Sequence, residues 1–209
     1  DGVEQGTVTV SGSSATVPSF NFSDQSDDQG VYQILNSVPV ASDFTITPVK
    51  DDNPLNGITT YDLVLISKHI LGIEPLGSAY KMIAADANKS NSITTFDIVE
   101  LRKLILGIYE ELPDNTSWRF VDKAYDFPNP ANPFTEPFPE NISIAQAMTH
   151  QTGEDFVGVK IGDVNNTVVA NTLMASDDRS VGTLLFDVEN REVKAGEECE
   201  VTFKAADKT

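Results

Sequence analysis

Oxygen-bearing residues stand at alternate positions in one short stretch of the chain, and a carboxylate follows at a fixed distance. The members of this set are Asp86, Asn88, Ser90, Ser92 and Asp97. Counted from Asp86 they occupy positions 1, 3, 5, 7 and 12, which ligate the ion in an EF-hand loop, position 7 through its backbone carbonyl. Oxygen ligands of these kinds suit a hard cation, so the spacing predicts a Ca²⁺ site. The alternative is that Asp97 is only a helix N-terminal acid and the rest is turn chemistry.

A weaker copy of the pattern lies 35 residues earlier. Asp51 stands at position 1, Asn53 at position 3 and Asp62 at position 12. Position 5 is Leu55, whose side chain has no oxygen to offer a cation. The sequence predicts a second Ca²⁺ site here, bound more weakly, through water or with altered geometry.

A third and incomplete pattern begins at Asp163. With Asn165 and Thr167 it fills positions 1, 3 and 5, but position 12 is Met174, so no carboxylate completes the loop. A plain β-turn accounts for these residues equally well. Asp163 and Asn165 are further candidate ligands.

An internal duplication positions the two loops. Residues 58–73 and 93–108 are identical at ten of sixteen positions. Apolar residues recur in each copy at a spacing of three to four, which predicts helices over 60–71 and 95–106 that pack together. A glycine follows each predicted helix, where a C-terminal cap belongs. Each helix would thus begin at its loop, and metal binding would fix the helix start.

Composition excludes several classes of function. The chain carries 32 Asp and Glu against 14 Lys and Arg, a formal net charge of −18. This balance argues against a nucleic-acid partner and against docking on anionic lipid, since both need a basic face. No apolar run approaches the ~18 residues of a membrane span. The motifs of hydrolases, zinc proteases and phosphate loops are missing, so the sequence predicts a protein that is not an enzyme.

The pattern of residues predicts an α+β, multi-domain organisation. The expected parts are a small β-sandwich at 1–49, a calcium module at 50–168 that includes an aromatic and proline-rich insert at 110–162, a linker at 169–182, and the start of a further β domain at 183–209. Both ends of the chain fall within such patterns, which predicts a piece of a longer protein.

The 86–97 loop and the following Leu101 to Gly107 resemble a type I dockerin repeat. The earlier copy resembles one in degenerate form, and Gly162 to Asn165 resemble the opening of a dockerin loop. Dockerins are duplicated calcium-loop-plus-helix modules that attach secreted proteins to cohesin partners. The resemblance implies an EF-hand-like helix pair, two Ca²⁺ sites, a cohesin-like protein partner, and a place in a secreted or cell-surface bacterial protein.

The flanking segments carry weaker resemblances. Residues 1–49 resemble a carboxypeptidase-regulatory-like or prealbumin-like β-sandwich, and residues 185–204 resemble the first strands of a cohesin-like domain. Two features depart from a compact dockerin, namely Leu55 in the first loop and the long insert after the second helix. Both departures weaken the expectation of a standard cohesin interface.

Four basic residues lie where partner contacts would fall on the dockerin helices. They are Lys68, His69, Arg102 and Lys103, and a solvated helix face is the alternative account of them. Three functions fit the sequence: a calcium-ordered helix pair that binds a protein partner, a calcium-stiffened spacer in an adhesin, and a carbohydrate-binding accessory module that uses the aromatic insert. An exposed apolar helix face would favour the binding function, and a buried one the spacer. A monomer is expected.

Overall fold

The computed structural model describes residues 2–35 and 38–170, together with the backbone of residues 186–187 and 204–205. Within this part the chain combines three α-helices with antiparallel strands, which confirms the predicted α+β class. No helix among these residues is both long enough and apolar enough to cross a bilayer.

Alternating apolar residues build the larger sheet. In the order of the sheet its strands are β2 (Phe20–Gln25), β1 (Thr7–Ser13), β3 (Ser42–Val49) and β5 (Ile142–Ala147), all antiparallel. Every second side chain of β1 and β3 faces inward, as the period of two requires, and the buried ones are Val8, Val10, Phe44 and Ile46. Since β5 comes from the insert, this sheet extends beyond the boundary expected at residue 49.

The duplicated segment forms the two predicted helices. They are α1 (Thr60–Ile70) and α3 (Thr95–Ile105), each one residue shorter than expected, and they pack against each other. Each begins with a capping box, in which the threonine before the helix and the aspartate three residues later satisfy each other's backbone N–H groups. A short helix between them, α2 (Ala79–Ala85), was not expected from the sequence.

A second sheet lies against the helices. It pairs β4 (Trp118–Asp122) with β6 (Phe156–Lys160) in antiparallel fashion. Val121 and Val159 from these strands share one buried cluster with the helices. The aromatic residues of the insert pack on the same cluster: Tyr125, Phe127, Phe134 and Phe138. The aromatic part of the insert therefore packs on the helical core, whereas β5 of the same insert joins the larger sheet.

The chain divides into two compact units, residues 1–175 and residues 176–209. In the second unit Phe186–Asp187 (β7) pairs antiparallel with Lys204–Ala205 (β8). Most of the predicted linker and most of the predicted further β domain lie outside the described residues.

Candidate metal centres

Residues 86–97, here called the continuous loop, fold around the carboxylate of Asp86. Its Oδ1 accepts a hydrogen bond from the backbone N–H of Ser90 at 2.9 Å, and its Oδ2 accepts one from Asn91 at 2.9 Å. Asn91 has a φ of 60°, which lets the chain turn back around the carboxylate. The Ser90 hydroxyl donates to the carbonyl oxygen of Ser92 at 3.2 Å. These contacts bring the oxygens of positions 1, 5 and 7 together, as the sequence predicts.

Asp97 closes the same loop from the first turn of α3. Its Oδ2 accepts from the backbone N–H of Thr94 at 2.7 Å, and its Oδ1 accepts from the backbone N–H of Asn88 at 3.3 Å. The carboxylate therefore caps its own helix and contacts the opposite side of the loop. The structure thus brings together the predicted set at positions 1, 3, 5, 7 and 12.

Asp62, the equivalent residue of α1, contacts a segment far away in the sequence. Its Oδ2 accepts from the backbone N–H of Thr59 at 2.8 Å, which repeats the capping box of Asp97. Its Oδ1, however, accepts from the backbone N–H groups of Val164 at 3.0 Å and Asn165 at 3.1 Å. The incomplete pattern at Asp163 is thereby joined to the helix that supplies the missing carboxylate.

The segment 163–168 repeats the fold of the first half of the continuous loop. Oδ1 of Asp163 accepts from the backbone N–H of Thr167 at 3.2 Å, and Oδ2 accepts from Val168 at 2.7 Å. The Thr167 hydroxyl donates to the carbonyl oxygen of Gly57 at 3.0 Å, as Ser90 does to Ser92. Residues 163–168 and 57–62 together therefore form a second loop, here called the split loop.

The two halves of the split loop meet at Gly57. A Cβ on this glycine would lie 2.6 Å from the Cα of Val168, so only glycine admits such a close approach. Val168 and Gly57 thus occupy positions 6 and 7 of the split loop. In a continuous loop a peptide bond joins the residues at these two positions. Because the chain does not have to turn back at position 6, a β-branched valine is tolerated there.

The four aspartates of the two loops are buried and form no ion pair among the described residues, although Arg119 interacts electrostatically with Asp86 and Lys160 with Asp163. Asp62, Asp86 and Asp97 are 0% exposed, and Asp163 is 4% exposed. Among the described residues none of them forms an ion pair with a lysine, arginine or histidine. Buried charges that lack a partner are costly, so each pair of carboxylates favours a bound cation.

The electrostatics of the continuous loop also favour a bound cation. Burial raises the pKa of Asp86, the backbone N–H groups of Asn91 and Ser90 lower it in part, the charge of Asp97 raises it again, and the charge of Arg119 lowers it slightly. In the split loop, Oδ1 of Asn165 is buried and has no hydrogen-bond donor among the described residues. An unpaired acceptor beside two carboxylates can serve as a cation ligand.

The chemistry of both sets is that of a mixed oxygen site. In the described ranges no group of three or more His, Cys, Asp and Glu side chains lies together in a way that could hold a metal. Each loop instead offers two carboxylates, one amide, one hydroxyl and one backbone carbonyl. Oxygen sets of this kind suit Ca²⁺ and do not suit soft metals.

The predicted first loop is not formed by Asp51 and Asn53. Oδ1 of Asp51 accepts from the backbone N–H of Ser117 at 2.7 Å, and Asn53 lies in a turn with a φ of 45°. The buried Nζ of Lys160 donates to the carbonyl oxygen of Pro54 at 2.7 Å, and burial lowers the pKa of this lysine to about 7. Contacts with β4 and β6 thus hold this segment, and Asp62 pairs with residues 163–168 instead.

Two of the four basic residues predicted to bind a partner make matched local contacts. Lys68 pairs with Glu74 at 2.9 Å, and Lys103 donates to the Tyr109 hydroxyl at 3.0 Å, each in the turn after its own helix. His69 accepts a hydrogen bond from a backbone N–H of the turn after α1. These three side chains therefore stabilise the helix ends.

Arg102 lies in a different place, in the groove between α1 and α3, beside Val64 and Leu106. The duplication leaves apolar side chains exposed at equivalent positions of the two copies. The exposed pairs are Tyr61 and Phe96, Val64 and Val99, Leu71 and Leu106, and Ile73 and Ile108. Of these, Val64 and Leu106 line the groove.

Comparison with known proteins finds no match, since no family model fits the sequence and no curated protein or solved structure is similar enough to count as a relative.

Proposed function

We propose that this chain is a non-catalytic, calcium-binding module with a dockerin-like helix pair, in which one of the two calcium loops is split. The observation that carries the proposal is the pair of matched loops, each with two buried aspartates that form no ion pair among the described residues. Neutralising these carboxylates is the contribution that a Ca²⁺ ion would make at each loop.

The same kinds of ligand are proposed for both ions. In the continuous loop they are Asp86, Asn88, Ser90, the Ser92 carbonyl and Asp97. In the split loop they are Asp163, Asn165, Thr167, the Gly57 carbonyl and Asp62. Because Asp62 and Asp97 also cap α1 and α3, an ion at either loop would fix the start of the helix that follows.

The proposed role of the ordered helices is to bind a protein partner, of the cohesin-like kind that the dockerin resemblance implies. The apolar side chains that both copies expose support this role, because Val64 and Leu106 line the groove between α1 and α3 and exposed apolar patches mark interaction surfaces. Placement in a secreted or surface protein rests on the resemblance alone. The spacer is the second candidate, and the shared core of helices and insert supports it.

Calcium titration by calorimetry on the metal-stripped chain tests the two sites. We expect two bound ions in the unaltered protein and one in either Asp97→Asn or Asp163→Asn. The matched control is Asp51→Asn, which removes the residue that sequence spacing assigns to the first loop, and we expect it to leave two ions bound. Absence of calcium binding would overturn the proposal. Loss of an ion in Asp51→Asn but not in Asp163→Asn would overturn the split loop.

A further inference from the structure

A cavity of about 380 Å³ adjoins the continuous loop. Its volume falls in the lower part of the roughly 300–1,000 Å³ range of small-molecule sites. Two loop residues line one side, Arg119 of β4 lines another, and the segment after Pro133 supplies the rest. The cavity is lined by Lys89, Asn91, Arg119, Phe134, Glu136 and Glu140, among others. None of them is among the proposed calcium ligands.

Arg119 is the buried polar group of this cavity. Its side chain is 5% exposed, its Nε donates to Oε1 of Glu140 at 2.7 Å, and its guanidinium lies 4.7 Å from the centre of the Phe138 ring. These contacts fix the guanidinium plane. Nη1 is nevertheless buried without an acceptor among the described residues. A buried donor left unpaired costs roughly 1–3 kcal/mol, so this site favours a ligand that brings an acceptor.

The charges around the cavity favour a neutral ligand. Lys89 and Arg119 are balanced by Glu136 and Glu140, so the lining has no net charge. An anion would accept from Arg119 but would also meet two carboxylates. A hydroxyl group can accept from the guanidinium and donate to a carboxylate, and so it suits both.

We propose that this cavity binds a neutral saccharide. Sugar hydroxyls would accept from the Arg119 guanidinium and from the Asn91 amide, and would donate to the glutamates. The half-buried ring of Phe134 supplies an apolar surface for the C–H face of the sugar. This site would give the chain a carbohydrate-binding activity beside its proposed calcium loops.

Calcium would strengthen saccharide binding, an effect that rests on the proposed function because it needs an ion in the continuous loop. Lys89 and Asn91 belong to the continuous loop, with φ angles of 55° and 60°, and the backbone N–H of Asn91 donates to Asp86. An ion in that loop would order one wall of the cavity. The affinity for saccharide should therefore fall when calcium is removed.

The test is calorimetric titration of the full chain with glucose, N-acetylglucosamine, maltose and cellobiose, and with glucuronic acid as the anionic probe. We expect at least one neutral sugar to bind.

Arg119→Lys keeps the charge but loses the planar fork, and should weaken that binding by about tenfold or more. Lys89→Gly suits the positive φ and should weaken it several-fold. The matched control is Asn166→Gly, which changes the equivalent position of the split loop (φ 61°) and should have no effect.

Each other outcome overturns the inference. Absence of binding by every neutral sugar, unchanged binding in both Arg119→Lys and Lys89→Gly, or a preference for glucuronic acid would each do so. Titration of calcium in the same samples separates the two proposals. Calcium binding without sugar binding would overturn only the saccharide site, and sugar binding without calcium binding would overturn only the calcium loops.

Discussion

The side chains of Asp62 and Asp97 each contact both the start of a helix and a loop. One carboxylate oxygen accepts from the backbone at the start of the residue's own helix, and the other accepts from the backbone of a loop. The helix and the loop are therefore coupled through a single side chain. A change at either aspartate acts on helix capping and on ion binding together, and the two effects can be separated by removing calcium.

Asp97→Asn should lower the free energy of unfolding much more in calcium than in chelator. The lost cap contributes equally in both solutions, typically about 1 kcal/mol. Only in calcium does the variant also lose one ion, which stabilises by about 2.7 kcal/mol when its concentration is about 100 times Kd. Urea unfolding of both proteins in both solutions measures the difference. A loss of equal size with and without calcium would contradict the assignment of Asp97 as a ligand.

Tyr32 should ionise only in strongly alkaline solution. Its hydroxyl donates to the carbonyl oxygen of Glu154, and burial, with smaller contributions from Asp155 and Glu154, raises its pKa from 10.0 to about 12. The folded state therefore holds this proton more tightly than the unfolded state. The stabilisation is complete below pH 10 and is lost as the pH rises towards 12.

The difference in absorbance at 295 nm between the unaltered protein and Tyr32→Phe isolates this titration. We expect a midpoint of about 12, and a midpoint near 10 would contradict the contact. Tyr32→Phe should also cost about 1 kcal/mol of stability at neutral pH, which urea unfolding measures.

At the scale of elements, the junction between β6 and the split loop depends on Gly162. Its φ is +89°, and a Cβ there would lie 2.6 Å from Cδ1 of Ile58 and 2.7 Å from Cδ2 of Leu101. The strand thus ends against the start of α1 and the middle of α3. This close packing sets the position of Asp163, the next residue, relative to Asp62.

Gly162→Ala should destabilise the chain and weaken calcium binding at the split loop. The matched control is Gly153→Ala, because Gly153 has a φ of +80° but nothing within 4 Å of its Cβ position. Both variants strain the backbone, and only Gly162→Ala adds crowding, which should cost about 1–3 kcal/mol more. Thermal melts and calcium titration of both variants measure this. Equal effects would show that crowding at Ile58 and Leu101 plays no part.

Local signals made α1 and α3 predictable from the sequence. The threonine before each helix, the aspartate within its first turn and the glycine after it are all close neighbours in the chain. The continuous loop was predictable for the same reason. The helix α2 was missed because its seven residues are too few to reveal a helical period, and five of them are buried.

The segment that contacts Asp62 could not be predicted from neighbouring residues. Spacing alone favours Asp51 and Asn53, which precede Asp62 by the expected number of residues, whereas Val164 lies 102 positions away. The choice depends on the packing of β4 and β6 against the helices, which a local pattern does not encode. One signal did point to the answer, because Asp163, Asn165 and Thr167 match the oxygen spacing of Asp86, Asn88 and Ser90, and Leu55 breaks it.

At the scale of the whole molecule, the split loop joins distant parts of residues 1–175. Cutting the chain in the exposed stretch 148–153 would leave β6 and residues 163–168 on one fragment and both long helices on the other. Apart from packing and the β4–β6 pairing, the ion proposed at the split loop would hold the fragments together. Calcium would then act as a link between two polypeptides.

Cleavage at a protease site inserted between His150 and Gln151 tests this link. We expect the nicked protein to elute as one species in calcium and to separate at a lower urea concentration in chelator. The control is the same nicked protein carrying Asp163→Asn, whose separation should depend on calcium much less, because only the ion of the continuous loop remains. Size-exclusion chromatography across a urea series gives the readout, and equal calcium dependence in both proteins would contradict the split site.

The close approach of Val168 to Gly57 has a mechanical consequence. The chain enters the segment 57–168 and leaves it at one point, so the segment is attached to its flanks as a closed loop. A pull applied before residue 56 and after residue 169 would act first on the hydrogen bonds between Asn56 and Val169 and between Thr167 and Gly57, and then on those that Asp62 and Asp163 make in the split loop. The helices would carry no tension until those bonds broke.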